Sequence, residues 1–175
     1  MTTTATETML PGLDLPFSVE KVLGEETTKF QRIGFYKTPS HGILMMLDNT
    51  VMLTERDEYV YHEMITHVPL FAHPCPRRVL VIGGGDLGAV RECLRHPTIE
   101  ESHLCEIDGK VVDMSRDHLP WAEAVYNDPR TTVHVADGSE FLKREQQQGR
   151  YDVILVDSTD AIGHAAQPQA TRLFN

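Results

Sequence analysis

Residues 79–88 read VLVIGGGDLG, an apolar run followed by three glycines, an aspartate, a leucine and a fourth glycine. A continuous apolar run of this kind is typical of a strand that is buried on both faces of a parallel sheet. Gly83, Gly85 and Gly88 have the G-x-G-x-x-G spacing, in which glycines permit a tight turn and a close approach of the backbone to a ligand. The stretch therefore predicts a strand, a ligand-binding turn and the start of a helix.

The sequence after this stretch alternates between strand-like and helix-like segments. Ala89–His96 predicts a helix that Pro97 stops, and Lys110–Leu119 predicts a second helix. Such alternation predicts an α/β fold with a Rossmann-like parallel sheet and right-handed crossovers. The other strand-like segments are SHLCEID (102–108), TTVHVADG (131–138) and YDVILVDSTD (151–160), and the third predicted helix is Ser139–Gln147.

The chain divides into three predicted units. Residues 1–16 are rich in threonine and have no periodicity, so they predict a flexible tail. Residues 17–53 hold short apolar runs separated by turn residues and predict a small antiparallel β domain. Residues 54–175 predict a Rossmann-like nucleoside-binding domain. Because parallel sheets are normally covered on both faces and only residues 161–175 follow the last strand, we expect this domain to be C-terminally incomplete.

The segment that begins with TERD (54–57) has the pattern of a helix start, a hydroxyl followed three residues later by a carboxylate. Tyr61, Met64, Ile65 and Val68 then fall on one helical face. Taken alone, a tyrosine in such an apolar stripe is more often a core residue than a ligand-binding residue.

Composition and charge exclude several classes of protein. With 41% hydrophobic and 24% charged residues, the chain is not mainly disordered. The 16 basic and 26 acidic residues give a net charge of −10, and the basic residues are scattered, which disfavours a nucleic-acid-binding surface. No apolar run approaches the roughly 18 residues of a membrane span, and the first residues lack the features of a secretory signal. Cys75, Cys93 and Cys105 form no C-x-x-C motif, which favours a reducing cytoplasm.

Acidic side chains follow each predicted parallel strand. Asp86 lies in the glycine turn, Glu106 and Asp137 end the next two strands, and Asp157 and Asp160 follow the last strand. Ligands of open α/β sheets bind in the crevice outside the carboxyl ends of the strands. We therefore expect these carboxylates to share one crevice, with Glu106 placed to accept hydrogen bonds from ribose hydroxyls and Asp137 from an adenine amino group.

The charge of Asp86 narrows the choice of nucleoside. A carboxylate in the glycine turn repels a phosphate and attracts a cation, which disfavours NAD and favours a positively charged ligand such as a sulfonium nucleoside. Clustered carboxylates need cations to neutralise them, and those cations are either metal ions or organic amines. We expect no metal, because no His or Cys shares the spacing of a metal-ligand set.

Several motifs together resemble the spermidine synthase family of polyamine aminopropyltransferases, from about residue 17 to Gly163. The motifs are, in order, TERDEYVYHEM (54–64), THVPL (66–70), VLVIGGGDLG (79–88), CEID (105–108), ADG (136–138) and DSTD (157–160). The resemblance implies a class I methyltransferase-type fold and transfer of the aminopropyl group from decarboxylated S-adenosylmethionine to putrescine. It also implies spermidine and 5′-methylthioadenosine as products, no metal or other cofactor, and a homodimer or homotetramer.

The resemblance implies a role for each matching residue. Asp157 corresponds to the general base that takes a proton from the attacking amine, and Asp86 would lie between that amine and the aminopropyl tail. The implied nucleoside contacts are Gln31, Gly83, Gly85, Glu106, Asp137 and Gly138, and the implied diamine contacts are Tyr61, His62, Asp86, Asp157 and Asp160.

The chain departs from the family pattern at Leu87, where the family has glycine, and at Ala161 and His164, where the family has prolines. Two alternatives remain at this point. One is a methyltransferase of the same fold, and the other is a non-catalytic nucleoside-binding or interaction module.

Overall fold

The computed structural model describes residues 3–10, 12–144 and 149–158. Two antiparallel sheets precede the parallel sheet, and the second of them has the order β3-β4-β5-β6. The six strands are β1 (Thr3–Leu10), β2 (Leu13–Val19), β3 (Lys21–Thr27), β4 (Arg32–Thr38), β5 (Gly42–Leu47) and β6 (Thr50–Thr54). The expectation of a small antiparallel β unit before the parallel sheet is confirmed.

The prediction of a flexible tail over residues 1–16 is wrong, because β1 pairs with β2 along most of its length. Threonine is β-branched and favours extended backbone, so a threonine-rich segment is well suited to a strand. Only Ala5 in β1 is buried. It packs in a small cluster with Phe17, Val19, Tyr36, Leu44 and Met46, all distant in sequence, and no local apolar pattern therefore signals the strand.

The parallel sheet has the strand order β10-β7-β8-β9, which confirms the expected Rossmann-like α/β fold. Its elements are α1 (Glu58–Ala72), β7 (Arg78–Gly83), α2 (Gly88–Leu94), β8 (Glu101–Glu106), α3 (Gly109–His118), α4 (Ala122–Tyr126), β9 (Thr131–Val135), α5 (Gly138–Lys143) and β10 (Val153–Asp157). Gly83 pairs with Asp157 and Ile82 with Cys105, so the carboxyl ends of β7, β8 and β10 meet at one edge. That edge holds the candidate site.

The central strand β7 is buried on both faces, as its apolar run predicts. Val79 and Val81 belong to the main core with residues of α2, α3 and α4. Leu80 and Ile82 face the other side and pack with Cys105 of β8 and Phe141 of α5. This packing fixes the position of the turn that follows β7.

Two helix boundaries differ from the prediction by more than two residues. The helix predicted after TERD begins only at Glu58, the first residue of α1. The Thr54 hydroxyl donates to the Asp57 carboxylate instead of capping the helix backbone. The third predicted helix, 139–147, is the shorter α5, because Arg144 has extended torsions (φ −67°, ψ 130°), while residues 145–148 lie outside the described residues.

Three of the four residues in the apolar stripe of α1 face outward in the described structure, contrary to a core interpretation, whereas Ile65 is half-buried and packs against the main core. Tyr61, Met64 and Val68 are 51%, 62% and 56% exposed. The inward face of α1 instead carries Glu58, His62, Thr66 and Leu70. Two of these inward side chains are ionisable, and their burial is compensated by the charged partners described below. Among the described residues, no helix is long and apolar enough to cross a membrane.

Candidate active site

The glycine turn lies directly against the end of β10. Gly83 and Gly84 have positive φ angles of 80° and 67°, which glycine adopts without steric cost. A Cβ at Gly84 would lie 2.7 Å from Oδ2 of Asp157, and a Cβ at Gly83 would overlap the Asp157 carbonyl oxygen. The missing side chains therefore let the turn approach the Asp157 carboxylate.

Leu87 adopts φ 66° immediately before α2, a left-handed conformation that glycine occupies more readily. Its side chain is fully buried in the main core. The departure from the family glycine therefore places a side chain in the helix packing and not in the ligand crevice. The left-handed backbone of a non-glycine residue costs about 1–2 kcal/mol.

Among the residues that the structure describes, Asp157 is held on one side only. The hydroxyl of Tyr61 donates to its Oδ1 at 2.8 Å. Its Oδ2 is buried and accepts no hydrogen bond from the described residues. Burial, together with the negative charge of Asp86, raises the pKa of Asp157 to about 6. A carboxylate with a free, buried oxygen and a raised pKa is a suitable proton acceptor.

Asp86 has a positively charged partner within the protein. Its Oδ1 accepts hydrogen bonds from the Gly88 amide at 2.6 Å and lies 3.2 Å from Nε2 of His62. Nδ1 of His62 lies 2.5 Å from Oε2 of Glu58. Burial favours neutral imidazole, but the hydrogen bonds to Asp86 and Glu58 outweigh it and raise the pKa of His62 to about 10. The carboxylate crevice expected from the sequence therefore contains an internal cation.

The fold places His62 beside Asp86 and Asp157, although no metal-ligand spacing in the sequence joins these residues. Ligand atoms of His62, Asp86 and Asp157 lie within 4.8 Å of one another, so the reason given above for expecting no metal was incomplete. However, both ring nitrogens of His62 face carboxylates, and an imidazole that donates from both nitrogens has no lone pair for a metal. This arrangement fits an imidazolium better than a metal ligand.

Glu106 lies at the end of β8 and is only 8% exposed. Its Oε1 accepts a hydrogen bond from the Asp108 amide at 2.9 Å, and Gly85 leaves space beside its Oε2. Burial is the main reason that the pKa of Glu106 rises to about 7, with the charges of Asp108 and Asp86 adding to it.

The remaining predicted residues have different surroundings. Asp137 caps α5, since its side chain accepts from the Glu140 amide at 3.1 Å, and a Cβ at Gly138 would lie 2.5 Å from Ile82. Gln31 donates to Oδ2 of Asp108 at 3.2 Å, which ties the antiparallel sheet to the loop after β8. Asp160, Ala161 and His164 lie outside the described residues.

Sequence reasoning missed the partners of His62. Glu58 pairs with His62 from one helical turn earlier, and this i,i+4 spacing within TERDEYVYHEM could have signalled the contact. The pairing of Arg91 in α2 with Glu58 has no such signal in the sequence, because the contact joins two helices.

Two family models match this chain. Residues 2–55 match the spermidine synthase tetramerisation domain, and residues 58–175 match the spermine/spermidine synthase domain. The second match alone spans more than half of the chain, and it contains the glycine turn and all the parallel strands.

Curated relatives agree with these matches. The chain is 46% identical over 162 residues to a polyamine aminopropyltransferase of Shouchella clausii, covering 93% of this chain and 58% of that protein. It is 46% identical over 155 residues to a spermidine synthase of Dictyostelium discoideum, covering 89% of this chain and 54% of that protein. The chain spans about half the length of the curated relatives that it matches.

Solved structures share the architecture. A spermidine synthase in complex with the transition-state analogue AdoDATO superposes with a TM-score of 0.88 at 37% identity, covering 99% of this chain and 57% of that chain. Spermidine synthase from Thermotoga maritima gives a TM-score of 0.82 at 38% identity, covering 89% and 54%. From its motifs, fold and relatives, this chain belongs to the spermidine synthase family of polyamine aminopropyltransferases.

Proposed function

We propose that this chain carries the nucleoside and amine sites of a polyamine aminopropyltransferase. In the proposed reaction, the aminopropyl group of decarboxylated S-adenosylmethionine moves to putrescine, giving spermidine and 5′-methylthioadenosine. The observation that carries the proposal is Asp157, a partly buried carboxylate at the end of β10. One of its oxygens is bound by Tyr61, and the other is buried and unbound among the described residues.

Asp157 is the proposed base. An alkylammonium group has a pKa of about 10.4, and it cannot attack carbon while it is protonated. The amine nitrogen forms a bond to the carbon next to the sulfonium as the carbon–sulfur bond breaks, and the amine proton passes to Asp157. The sulfur leaves as a neutral thioether, so the proposed reaction needs no metal or other cofactor.

The remaining residues are proposed to align the two substrates, because in-line placement supplies much of the acceleration of such reactions. Asp86 faces the cationic aminopropyl tail and the amine. The proposed nucleoside contacts are Gln31, Gly83, Gly85, Glu106, Asp137 and Gly138, and the proposed diamine contacts are Tyr61, His62, Asp86, Asp157 and Asp160.

We also propose that the chain assembles as a homodimer or homotetramer through its N-terminal strands, with support from the match of residues 2–55 to a tetramerisation domain.

We place the reaction in the cytoplasm. The unpaired state of Cys75, Cys93 and Cys105 in the described structure agrees with a reducing compartment.

Incubation of the purified chain with decarboxylated S-adenosylmethionine and diamines of different length tests this proposal. We expect release of 5′-methylthioadenosine that depends on the diamine, and calorimetric binding of 5′-methylthioadenosine. A chain that neither binds 5′-methylthioadenosine nor releases it would contradict the proposed function.

A further inference from the structure

We propose that a closed set of contacts fixes His62 as an imidazolium against Asp86. The positioning residues in this set are Glu58, Arg91 and Trp121, which contact the site residues but not the reacting atoms. Together these five residues are called the imidazolium network. The effect of the network on catalysis rests on the proposed function, whereas its effect on His62 does not.

The protonation state of His62 follows from its surroundings. Nδ1 lies 2.5 Å from a Glu58 oxygen, and Nε2 lies 3.2 Å from an Asp86 oxygen. Carboxylate oxygens only accept hydrogen bonds, and imidazole can donate from both nitrogens only when it carries two protons. The side chain of His62 is 3% exposed, so water has little access to either nitrogen.

Arg91 holds Glu58 in place. Its Nη1 and Nη2 donate to the two carboxylate oxygens of Glu58 at 2.9 and 2.8 Å. Such a bidentate pair fixes the orientation of the carboxylate as well as its charge. Glu58 therefore presents a fixed oxygen to Nδ1 of His62.

Trp121 closes the set of contacts. The guanidinium of Arg91 lies over the indole ring of Trp121, 4.7 Å from its centroid. The indole Nε1–H donates to the backbone carbonyl of Asp86 at 2.9 Å. The same chain of side chains that supports His62 thus also anchors the backbone of its carboxylate partner.

Gly88 provides the space for the ring. A Cβ at this position would overlap Cε1, Nδ1 and Nε2 of His62. The last glycine of the G-x-G-x-x-G motif therefore leaves room for the imidazolium ring of His62, and it is also the first residue of α2. An alanine at residue 88 would force His62 away from Asp86.

The imidazolium network determines which carboxylate faces the amine without a cationic partner. The charged groups around His62 are Glu58 from α1, Asp86 from the glycine turn, Arg91 from α2 and Asp157 from β10. Since His62 offsets Asp86 and Arg91 offsets Glu58, Asp157 is left as the carboxylate without a cationic partner among these groups. The imidazolium also repels a neighbouring ammonium, which favours the neutral, nucleophilic form of the amine.

Nitrogen NMR of the ¹⁵N-histidine-labelled chain tests the network without any substrate. His62→Gln identifies the His62 resonances, and we expect both ring nitrogens of wild-type His62 to be protonated at pH 8. In Glu58→Gln the counter-charge is lost, and the pKa of His62 should fall by about 1–3. Glu63→Gln, on the same helix but paired with Arg95, is the matched control and should leave His62 unchanged.

A wild-type His62 that is neutral at pH 8 overturns the proposal, and this measurement is made on the wild-type chain, with His62→Gln used only to assign the resonances. An unchanged His62 titration in a folded Glu58→Gln chain also overturns it. The binding of 5′-methylthioadenosine to Glu58→Gln should equal that of wild type, because the network faces the amine side. Failure of wild type to bind 5′-methylthioadenosine would count against the proposed function and leave the His62 result standing.

Discussion

The three carboxyl groups Asp86, Glu106 and Asp157, of which only Glu106 is fully buried, have different protonation behaviour because their neighbours differ. Burial raises the pKa of Asp86, but His62 outweighs burial and holds that pKa below its usual value. For Asp157, burial and the negative charge of Asp86 outweigh the hydrogen bond from Tyr61 and the charge of His62, and they raise the pKa to about 6. Burial raises the pKa of Glu106 to about 7. Residue type alone therefore does not assign the base, whereas the surroundings favour Asp157.

Replacement of Asp157 by asparagine should abolish turnover in an active form of the enzyme, because the amide cannot accept the amine proton. Binding of 5′-methylthioadenosine should survive. Asp117→Asn, an exposed position on α3, is the control and should behave like wild type in both assays. Retention of more than about a tenth of wild-type turnover, a difference of about 1.4 kcal/mol in barrier, would remove Asp157 as the base.

Replacement of Glu106 by glutamine should have opposite effects on binding and stability. Loss of the charged acceptor should weaken 5′-methylthioadenosine binding, as measured by calorimetry. In wild type, the raised pKa of Glu106 means that stability falls as pH rises from its unfolded value of about 4.3 towards 7. Glutamine does not ionise, so Glu106→Gln lacks this decrease in stability. The Tm of the variant minus the Tm of wild type should therefore be larger at pH 8 than at pH 5. Equal affinity for the nucleoside would argue against the ribose role.

Replacement of Leu87 by glycine should destabilise the chain despite the left-handed backbone at this position. Relief of the backbone conformation returns about 1–2 kcal/mol, whereas removal of a buried leucine side chain costs about 3–5 kcal/mol. We expect a net loss of about 2 kcal/mol in urea unfolding and unchanged 5′-methylthioadenosine binding. A gain in affinity would show that Leu87 crowds the ligand after all.

At the scale of the secondary-structure elements, the sequence predicts best those strands whose apolar residues are consecutive. The strands β7 and β10 are apolar runs, and the more polar β8 follows from the alternation of strands and helices. Their shared edge follows from parallel pairing, so the meeting of Asp86, Glu106 and Asp157 could be predicted. The strand β1 and the inward face of α1 could not, because burial there depends on partners distant in sequence. The contact of Arg91 with Glu58 is of the same kind, since nothing local to either helix indicates it.

A single substitution should loosen the β1–β2 hairpin without loosening the parallel sheet. Phe17 anchors the hairpin in the small cluster with Ala5, Val19 and Tyr36. Phe17→Ala should increase amide hydrogen exchange in β1 and β2 while leaving β7 and β8 protected, because the parallel sheet has its own core. Equal loss of protection in both regions would show that hairpin and sheet unfold together.

For the whole molecule, the imidazolium network predicts that stability falls in alkaline solution. The pKa of His62 is raised from 6.5 to about 10 in the folded chain, so its stabilising effect is complete below pH 6.5 and is lost as pH rises towards 10. Chemical unfolding of wild type between pH 7 and 9 should show this decrease, and His62→Gln should show a flatter profile. Parallel profiles for the two chains would contradict the assignment of a charged His62.

We propose that the partly buried carboxylates of Asp86 and Asp157 select a cationic nucleoside that lacks the carboxylate of S-adenosylmethionine. This selection can be measured by calorimetry with decarboxylated S-adenosylmethionine and with S-adenosylmethionine itself. We expect the decarboxylated form to bind at least about tenfold more tightly, equivalent to about 1.4 kcal/mol, because the additional carboxylate would enter a crevice lined by Asp86 and Asp157. Equal affinities, or tighter binding of S-adenosylmethionine, would show that these carboxylates do not select against the carboxylate of the ligand.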